Sequence, residues 1–193
     1  MKFVAITGSI GCGKTTISNI LRAQGYLVYD IDKWVKLLYY KERFLDVVQQ
    51  NFPQVFSNGI FNKRELRTLV FNNPNELKIL EGIIHPILHK KLRKIIRKSK
   101  NGGVVFVDVA LLFEMRWDKY FDYIILADVD KETQKQRVMK RDNISAEAFD
   151  KINNIQLSRD DKFDKVDFII DTGVDLNKLR IEVVRVLEVL EKC

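Results

Sequence analysis

The sequence predicts an α/β fold in which helices flank a parallel β-sheet. Five apolar runs have the length of strands, and segments with helical periodicity follow or separate them: KFVAIT, YLVYD, GVVFVD, YIILAD and DFIID. This alternation is typical of βαβ units on a parallel sheet. The apolar character is continuous rather than alternating in VVFV and YIIL, which predicts strands that are covered on both faces.

The 193 residues suit one domain that carries insertions. We expect the sheet and its helices to comprise residues of about 1–31, 101–130 and 163–193. The segment of about 32–100 is mostly helical in pattern and predicts a helical insertion. A second helical block of about 131–162 is dense in charge, which fits a mobile lid.

Turn signals divide both helical blocks, and a last helix is predicted to pack on the sheet. SNG at 57–59 interrupts the first block and RDN at 141–143 interrupts the second. The final segment has apolar residues at helical spacing: Leu176, Leu179, Val183, Val186, Leu187 and Leu190.

Charge and composition restrict the class of partner. The net charge of +7 favours an anion, either nucleic acid or a highly phosphorylated small molecule. The most basic stretch, residues 89–100, is interpreted as the solvated face of a helix. No apolar run is long enough to cross a bilayer and no secretory signal is present, so a membrane is not expected as a partner. Cys12 and Cys193 form a poor disulfide framework, which favours a reducing cytoplasm.

A glycine-rich loop between the first strand and the first helix predicts a phosphate site. It matches G-x-x-x-x-G-K-[ST] through Gly8, Gly13, Lys14 and Thr15. Backbone N–H groups at the start of the helix point at phosphate, Lys14 reaches the β and γ oxygens, and the Thr15 hydroxyl ligates Mg²⁺. Gly11 lets the backbone approach phosphate closely. Cys12 is interpreted as a small loop residue rather than a redox switch.

Three carboxylates follow predicted strands. Asp30 and Asp32 come after the second strand, and in an extended segment they would point to the same side, toward the ligand cleft at the carboxyl end of the sheet. Such a carboxylate could orient a substrate hydroxyl for phosphoryl transfer. The alternative for Asp32 is that it caps the next helix. Asp108 could hold the water shell of a metal, or else pair with a structural donor.

Two arginines in the second helical block could meet phosphate. Arg137 and Arg141 are four residues apart and therefore share a face if the segment is helical. Guanidinium groups suit the phosphate oxygens whose charge builds up during transfer. Solvated helix arginines are the alternative.

Several motifs in order resemble the dephospho-CoA kinase family: TGSIGCGKTT, DID, RELRTLVF, LEGIIHPILHKKLR, DVALLFE, the spaced ETQKQRVMKRD and VDFIIDTG. The family phosphorylates the ribose 3′-hydroxyl of dephospho-CoA with ATP, and the resemblance extends over nearly the whole chain. It implies a P-loop NTPase fold with a helical CoA-binding insertion and a lid. Because both substrates are polyanions, the basic charge no longer requires nucleic acid as a partner.

The resemblance also implies roles for individual residues. It implies that Lys14 and the loop from Gly11 to Thr16, including Cys12, Gly13 and Thr15, bind ATP. We also expect Gly8, from the loop motif, and Arg137, from the second helical block, in the ATP site. Asp32 would be the catalytic carboxylate and Arg141 the lid arginine that serves the transferred phosphate. Arg64, His85 and Pro86 match positions of the helical CoA-binding part. Asp30 and Asp108 are also expected on the substrate side, because they follow predicted strands. The chain departs from the family pattern at Ala110, where proline is usual, and at Lys151, where arginine is common.

Two other functions are compatible with the loop alone. One is a nucleoside or nucleotide kinase, but that function would not explain the presence of the motifs IIHP and LLFE. A P-loop switch or nucleic-acid-dependent ATPase would use the basic helix at 89–100, although no NKxD guanine-binding motif is present. The sequence does not predict an oligomeric state.

Overall fold

The computed structural model describes residues 1–98 and 103–192. The chain divides into two compact units, one formed by residues 1–31 with 100–193 and the other by residues 32–99. Cys193 and the last two residues of the basic stretch 89–100 lie outside the described residues. Among the described helices, none combines the length and the apolar character needed to cross a bilayer.

The strands, in chain order, are β1 (Lys2–Thr7), β2 (Leu27–Asp30), β3 (Phe56–Ser57), β4 (Ile60–Phe61), β5 (Val104–Asp108), β6 (Tyr123–Asp128) and β7 (Phe168–Asp171). The helices are α1 (Lys14–Ala23), α2 (Ile31–Leu38), α3 (Glu42–Asn51), α4 (Lys63–Asn72), α5 (Pro74–Lys98), α6 (Lys131–Asp142), α7 (Ala146–Asn153), α8 (Arg159–Phe163) and α9 (Leu176–Lys192).

The first unit is built on a five-stranded parallel sheet with the order β2-β5-β1-β6-β7. The five predicted strands are therefore confirmed. The middle residues of β5 and nearly all of β6 are buried, as their continuous apolar runs predict. The chain leaves β1 toward one edge of the sheet and later returns to the other side of β1. The loop after β1 consequently lies at a topological switch point, where open α/β sheets bind ligands.

The last helix and α1 pack together on this sheet. Leu179, Val183, Leu187 and Leu190 of α9 are buried and join the core residues of β1 and α1. The predicted helix is confirmed, but Leu176 at its first position is 49% exposed and contributes little to the core.

The charged block of the first unit folds as three helices, α6 to α8, which we call the α6–α8 segment (residues 131–163). Helix α6 begins after Asp130, whose carboxylate accepts the N–H of Thr133, and ends at Asp142, directly before Asn143, where φ is 50°. The turn predicted at 141–143 is therefore wrong for Arg141 and Asp142, which are helical, and confirmed for Asn143. Ser145 and Ser158 cap α7 and α8 in the same way as Asp130 caps α6.

The second unit consists of α2 to α5 and a short antiparallel hairpin, β3–β4. Asn58 and Gly59 form its turn with φ of 52° and 77°, the left-handed pair that a two-residue hairpin requires. Tyr39 stacks on Phe61 with ring centroids 5.6 Å apart, which joins the hairpin to the helices. The sequence predicted only the turn, because each strand is two residues long.

Helix α5 carries the basic stretch and the proline of IIHP. It continues through Pro86, which has no N–H to donate to the carbonyl of Gly82. The described lysines and arginines of the stretch are exposed at positions 90, 91, 93, 94 and 97, as a solvated face predicts. Lys91 also lies over the ring of Trp34, 4.2 Å from its centroid.

Candidate functional site

The glycine-rich loop joins the end of β1 at Thr7 to the start of α1 at Lys14. Gly8, Gly11 and Gly13 have φ of 145°, 81° and 79°, conformations that residues with a Cβ rarely adopt. Neighbouring groups also approach these glycines closely. A Cβ on Gly8 would lie 2.4 Å from the carbonyl oxygen of Ala127, and one on Gly13 would lie 2.8 Å from the hydroxyl of Thr172. The loop is therefore shaped by backbone conformation and by packing against β6 and the residue that follows β7.

Replacing Gly8 by alanine is expected to lower the free energy of unfolding by about 2–5 kcal/mol, since backbone strain adds to a clash with rigid backbone. Gly25→Ala is the matched control, because Gly25 has φ of 87° but no described atom within 4 Å of the added Cβ. That control is expected to lose about 1–2 kcal/mol from strain alone. Chemical denaturation of both variants measures the difference, and equal losses would contradict the packing argument.

The start of α1 is open to an anion. Gly13 occupies the N-cap position and has no side chain that could accept the first N–H groups of the helix. The first turn of α1 contains no acidic residue. Backbone amides and the positive end of the helix dipole therefore face outward, as a phosphate site requires.

Lys14 lies at the first position of α1 and folds over the loop. Its Nζ donates to the carbonyl oxygens of Gly8 at 2.5 Å and Ser9 at 3.3 Å. Both acceptors are neutral, so the ammonium group retains a net charge with which to bind phosphate oxygens. Thr15 and Thr16 follow on the exposed side of the helix.

The α6–α8 segment holds the tip of the loop through three side chains. Gln156 Oε1 accepts the N–H of Ile10 at 2.8 Å, and Gln134 Nε2 donates to the carbonyl of Ile10 at 2.7 Å. Lys162 Nζ donates to the hydroxyl of Ser9 at 2.9 Å. The sequence did not predict these contacts, because polar residues on charged helices have the same pattern as solvated ones.

Arg137 of α6 contacts Thr172, the residue that follows β7. Arg137 donates from Nη1 to the hydroxyl of Thr172 at 3.2 Å and from Nη2 to its carbonyl at 2.8 Å. The Thr172 hydroxyl in turn lies 2.9 Å from the carbonyl of Cys12. The sequence-predicted Arg137 is thus brought to the loop, and the missed Thr172 could have been suspected from its place directly after β7.

Arg159 and Asp128 form an ion pair near the glycine-rich loop. Arg159 donates from Nε and Nη2 to the two carboxylate oxygens of Asp128, at 2.8 Å and 2.5 Å. This bidentate pairing raises the pKa of Arg159. It ties the start of α8 to the end of β6, beside the carbonyl of Ala127 that approaches Gly8.

Cys12, the cysteine of the glycine-rich loop, is buried. Burial raises the pKa of the Cys12 thiol, which lowers its thiolate fraction. The interpretation of Cys12 as a small packed residue fits this environment better than a redox switch does.

Asp30 and Asp108 end adjacent strands and lie opposite each other in the register of β2 and β5. Asp108 Oδ2 accepts the hydroxyl of Ser18 at 2.9 Å, so the structural-donor alternative is realised for one of its oxygens. The sequence brings both carboxylates to the carboxyl edge of the sheet as predicted.

The geometry predicted for Asp32 is wrong. β2 ends at Asp30 and α2 already begins at Ile31, so Asp32 is helical rather than extended and does not share a strand face with Asp30. It is also not the N-cap, because it lies within the first turn of α2. Asp32 is exposed there, and the first-turn amides of α2 stabilise its negative charge.

Arg141 lies at the exposed end of α6. It donates from Nε and Nη2 to the carboxylate of the adjacent Asp142, at 2.8 Å and 2.7 Å. This pairing raises the pKa of Arg141, so its guanidinium remains charged. Arg137, one turn earlier, is the member of the pair that is linked to the loop, through Thr172.

The other predicted substrate residues lie in the second unit. Arg64 is exposed in the first turn of α4, which Asn62 caps. His85 is partly buried on α5 directly before Pro86, and burial lowers its pKa while Glu81 opposes that shift. The neutral imidazole is thereby favoured near neutral pH.

Residues 1–98 and 103–192 contain no cluster of three or more His, Cys, Asp or Glu that could hold a metal ion by itself. Magnesium that serves phosphoryl transfer needs few protein ligands, because it retains water and binds the nucleotide phosphates. An exposed Thr15 hydroxyl at the start of α1 fits that kind of site.

Comparisons with known proteins span nearly the whole chain. A family model described as dephospho-CoA kinase matches residues 2–177. Dephospho-CoA kinase from Bartonella henselae is 37% identical over 194 residues, with 100% of each chain covered. A crystal structure of a Thermus thermophilus protein matches at a TM-score of 0.86 and 27% identity, over 99% of this chain and 97% of that one. Dephospho-CoA kinase from Campylobacter jejuni matches at a TM-score of 0.69 and 27% identity, over 98% and 97% of the two chains.

Proposed function

The chain belongs to the dephospho-CoA kinase family, and we propose that it transfers the terminal phosphoryl group of ATP to the ribose 3′-hydroxyl of dephospho-CoA. The products are coenzyme A and ADP. The observation that carries the proposal is the glycine-rich loop at the switch point of the sheet, with Lys14 at the start of α1. The resemblance of the remaining motifs to this family selects the acceptor.

ATP binds to the loop from Gly8 to Thr16. The open amides at the start of α1 and the Lys14 ammonium hold the β and γ phosphates, and Arg137 contributes from α6. The Thr15 hydroxyl would hold the Mg²⁺ that accompanies the nucleotide. When bound, the ion neutralises charge on the phosphate oxygens.

Asp32 accepts or orients the proton of the attacking ribose hydroxyl. Its carboxylate is exposed in the first turn of α2, where it can reach a substrate without first breaking out of a core. Arg141 supports the charge that develops on the transferred group, exchanging part of its pairing with Asp142 for phosphate oxygens. The α6–α8 segment acts as a lid whose closure excludes water, which would otherwise accept the phosphoryl group.

The resemblance to the family assigns acceptor-binding residues within each unit. In the first unit, Asp30 and Asp108 lie side by side at the sheet edge. In the second unit, Arg64, His85 and Pro86 belong to the helical part that binds CoA. The partners are therefore small molecules, without nucleic acid or membrane, and the site of action is the cytoplasm.

A coupled ADP-release assay tests the proposal. The protein is incubated with ATP, Mg²⁺ and dephospho-CoA, beside reactions with adenosine, AMP or no acceptor. ADP is expected only with dephospho-CoA, with a product heavier by one phosphoryl group. A preference for AMP or adenosine would contradict the acceptor while leaving nucleotide binding intact. Release of ADP without any acceptor would indicate an ATPase instead.

A further inference from the structure

Lys162 is a buried lysine beside the nucleotide-binding loop. Its side chain belongs to α8 and the residue is 1% exposed, which is rare for an ammonium group. Burial lowers the pKa of Lys162, and nearby Lys14 opposes its charge further, whereas Glu114 supports it. An apolar side chain of similar length would avoid this desolvation cost, so the fold alone gives little reason for a lysine here.

The contact that Lys162 makes is with the loop. Its Nζ donates to the hydroxyl of Ser9, the residue that follows the first glycine of the motif. Gln156 and Gln134 bind the N–H and the carbonyl of the next residue, Ile10. Consecutive loop residues are thus held by side chains from α6, from α8 and from the turn between α7 and α8.

Packing strengthens this arrangement at the following residue. A Cβ on Gly11 would lie 2.5 Å from a methyl group of Val138 and 2.9 Å from the carbonyl of Gln134, so the loop backbone rests directly on α6. A loop fixed at Ser9, Ile10 and Gly11 loses less conformational entropy when phosphate binds than a free loop would.

We propose that Lys162 is a positioning residue for the nucleotide-binding loop, acting through Ser9 and together with Gln134 and Gln156 on Ile10. The inference rests on the proposed function in one respect, that the loop binds ADP and ATP. Lys162 is not assigned a contact with the reacting atoms. It holds the loop in its phosphate-binding shape before the nucleotide arrives, and it couples the loop to the α6–α8 segment.

The experiment measures Mg²⁺–ADP binding by calorimetry and thermal unfolding without nucleotide, for the whole chain. Lys162→Met is expected to weaken ADP binding about 10-fold, which corresponds to about 1.4 kcal/mol, without lowering the Tm. The KM for ATP should rise by a similar factor, while kcat at saturating ATP changes less than about 3-fold. Lys165→Met removes an exposed lysine from the same region and is expected to bind ADP like the unchanged protein.

Ser9→Ala provides a second variant that does not depend on a core substitution. It should weaken ADP binding in the same direction, and the Lys162→Met/Ser9→Ala double variant should bind little worse than Lys162→Met alone. Such non-additivity supports a role through the Ser9 hydroxyl, since a purely structural lysine would not produce it.

Three outcomes would overturn the inference: unchanged ADP affinity in Lys162→Met, fully additive losses in the double variant, or a lowered Tm in Lys162→Met with normal binding in Ser9→Ala. The proposed function fails separately. If the unchanged protein binds ADP but does not phosphorylate dephospho-CoA, the proposed acceptor is wrong. The inference about the loop is then still tested by the ADP-binding data. If the unchanged protein binds no ADP, both are refuted.

Discussion

Asp32→Asn is expected to lower kcat for phosphorylation of dephospho-CoA by about 10³-fold while the Kd for Mg²⁺–ADP changes less than about 3-fold. Asparagine has nearly the same shape as aspartate but cannot accept the proton of the ribose hydroxyl. Nucleotide binding depends on the loop and Lys14, which belong to other elements. The loss should therefore appear in the chemical step, and single-turnover kinetics with calorimetric Kd values separate the two quantities.

The fold should tolerate this change. Asp32 is exposed in the first turn of α2, so the substitution removes a favourable charge–dipole interaction of about 0.3–1 kcal/mol. Glu42→Gln is the matched control, because Glu42 is an exposed carboxylate in the first turn of the neighbouring α3. The control should retain full activity. Undiminished turnover in Asp32→Asn would remove Asp32 from the mechanism, whereas an equal loss in Glu42→Gln would attribute the effect to general charge.

The sheet and the phosphate loop could be predicted from the sequence because their causes are local. Buried parallel strands must be apolar on both faces, so VVFV and YIIL carry the signal in their own composition. The cause is equally local for the loop glycines. Gly11 and Gly13 adopt positive φ values that a Cβ disfavours whatever surrounds them.

The predictions that failed depend on short elements and exact boundaries. Asp32 was expected in an extended segment, but the helix begins directly after the strand with no connecting residue. The pattern of YDID does not show where extended backbone gives way to helix. The hairpin β3–β4 was missed for a related reason, because two residues per strand are too few to show an alternating pattern.

The contacts around the loop could not be predicted, because they join residues far apart in the chain. Gln134 and Lys162 lie on helices dense in charge, where a buried polar side chain has no local signature. Only the fold shows that α6 and α8 pass beside Ser9 and Ile10. The sequence therefore predicted the phosphate-binding backbone but not the side chains that hold it.

Lys14→Met is expected to weaken Mg²⁺–ATP binding about 100-fold and to lower kcat/KM for phosphoryl transfer by about 10³-fold or more. The Lys14 ammonium contacts neutral carbonyls of Gly8 and Ser9, so no carboxylate in these contacts must be displaced when phosphate arrives. Hydrogen bonds from the ammonium group to anionic phosphate oxygens are stronger than the hydrogen bonds to neutral carbonyl oxygens that they replace. The loss in kcat/KM is expected to exceed the loss in ATP affinity, because negative charge grows on the γ oxygens during transfer and Lys14 stabilises it.

Lys14→Arg separates charge from shape. Arginine keeps the positive charge, but its planar fork is wider than an ammonium group and must fit over a loop packed against Ala127 and Thr172. We therefore expect Lys14→Arg to recover some ATP affinity and little of kcat. Lys165→Met again controls for the loss of one positive charge. Full activity in Lys14→Met would contradict the assignment of the loop as the ATP site, and recovery of kcat by arginine would mean that charge alone is sufficient at this position.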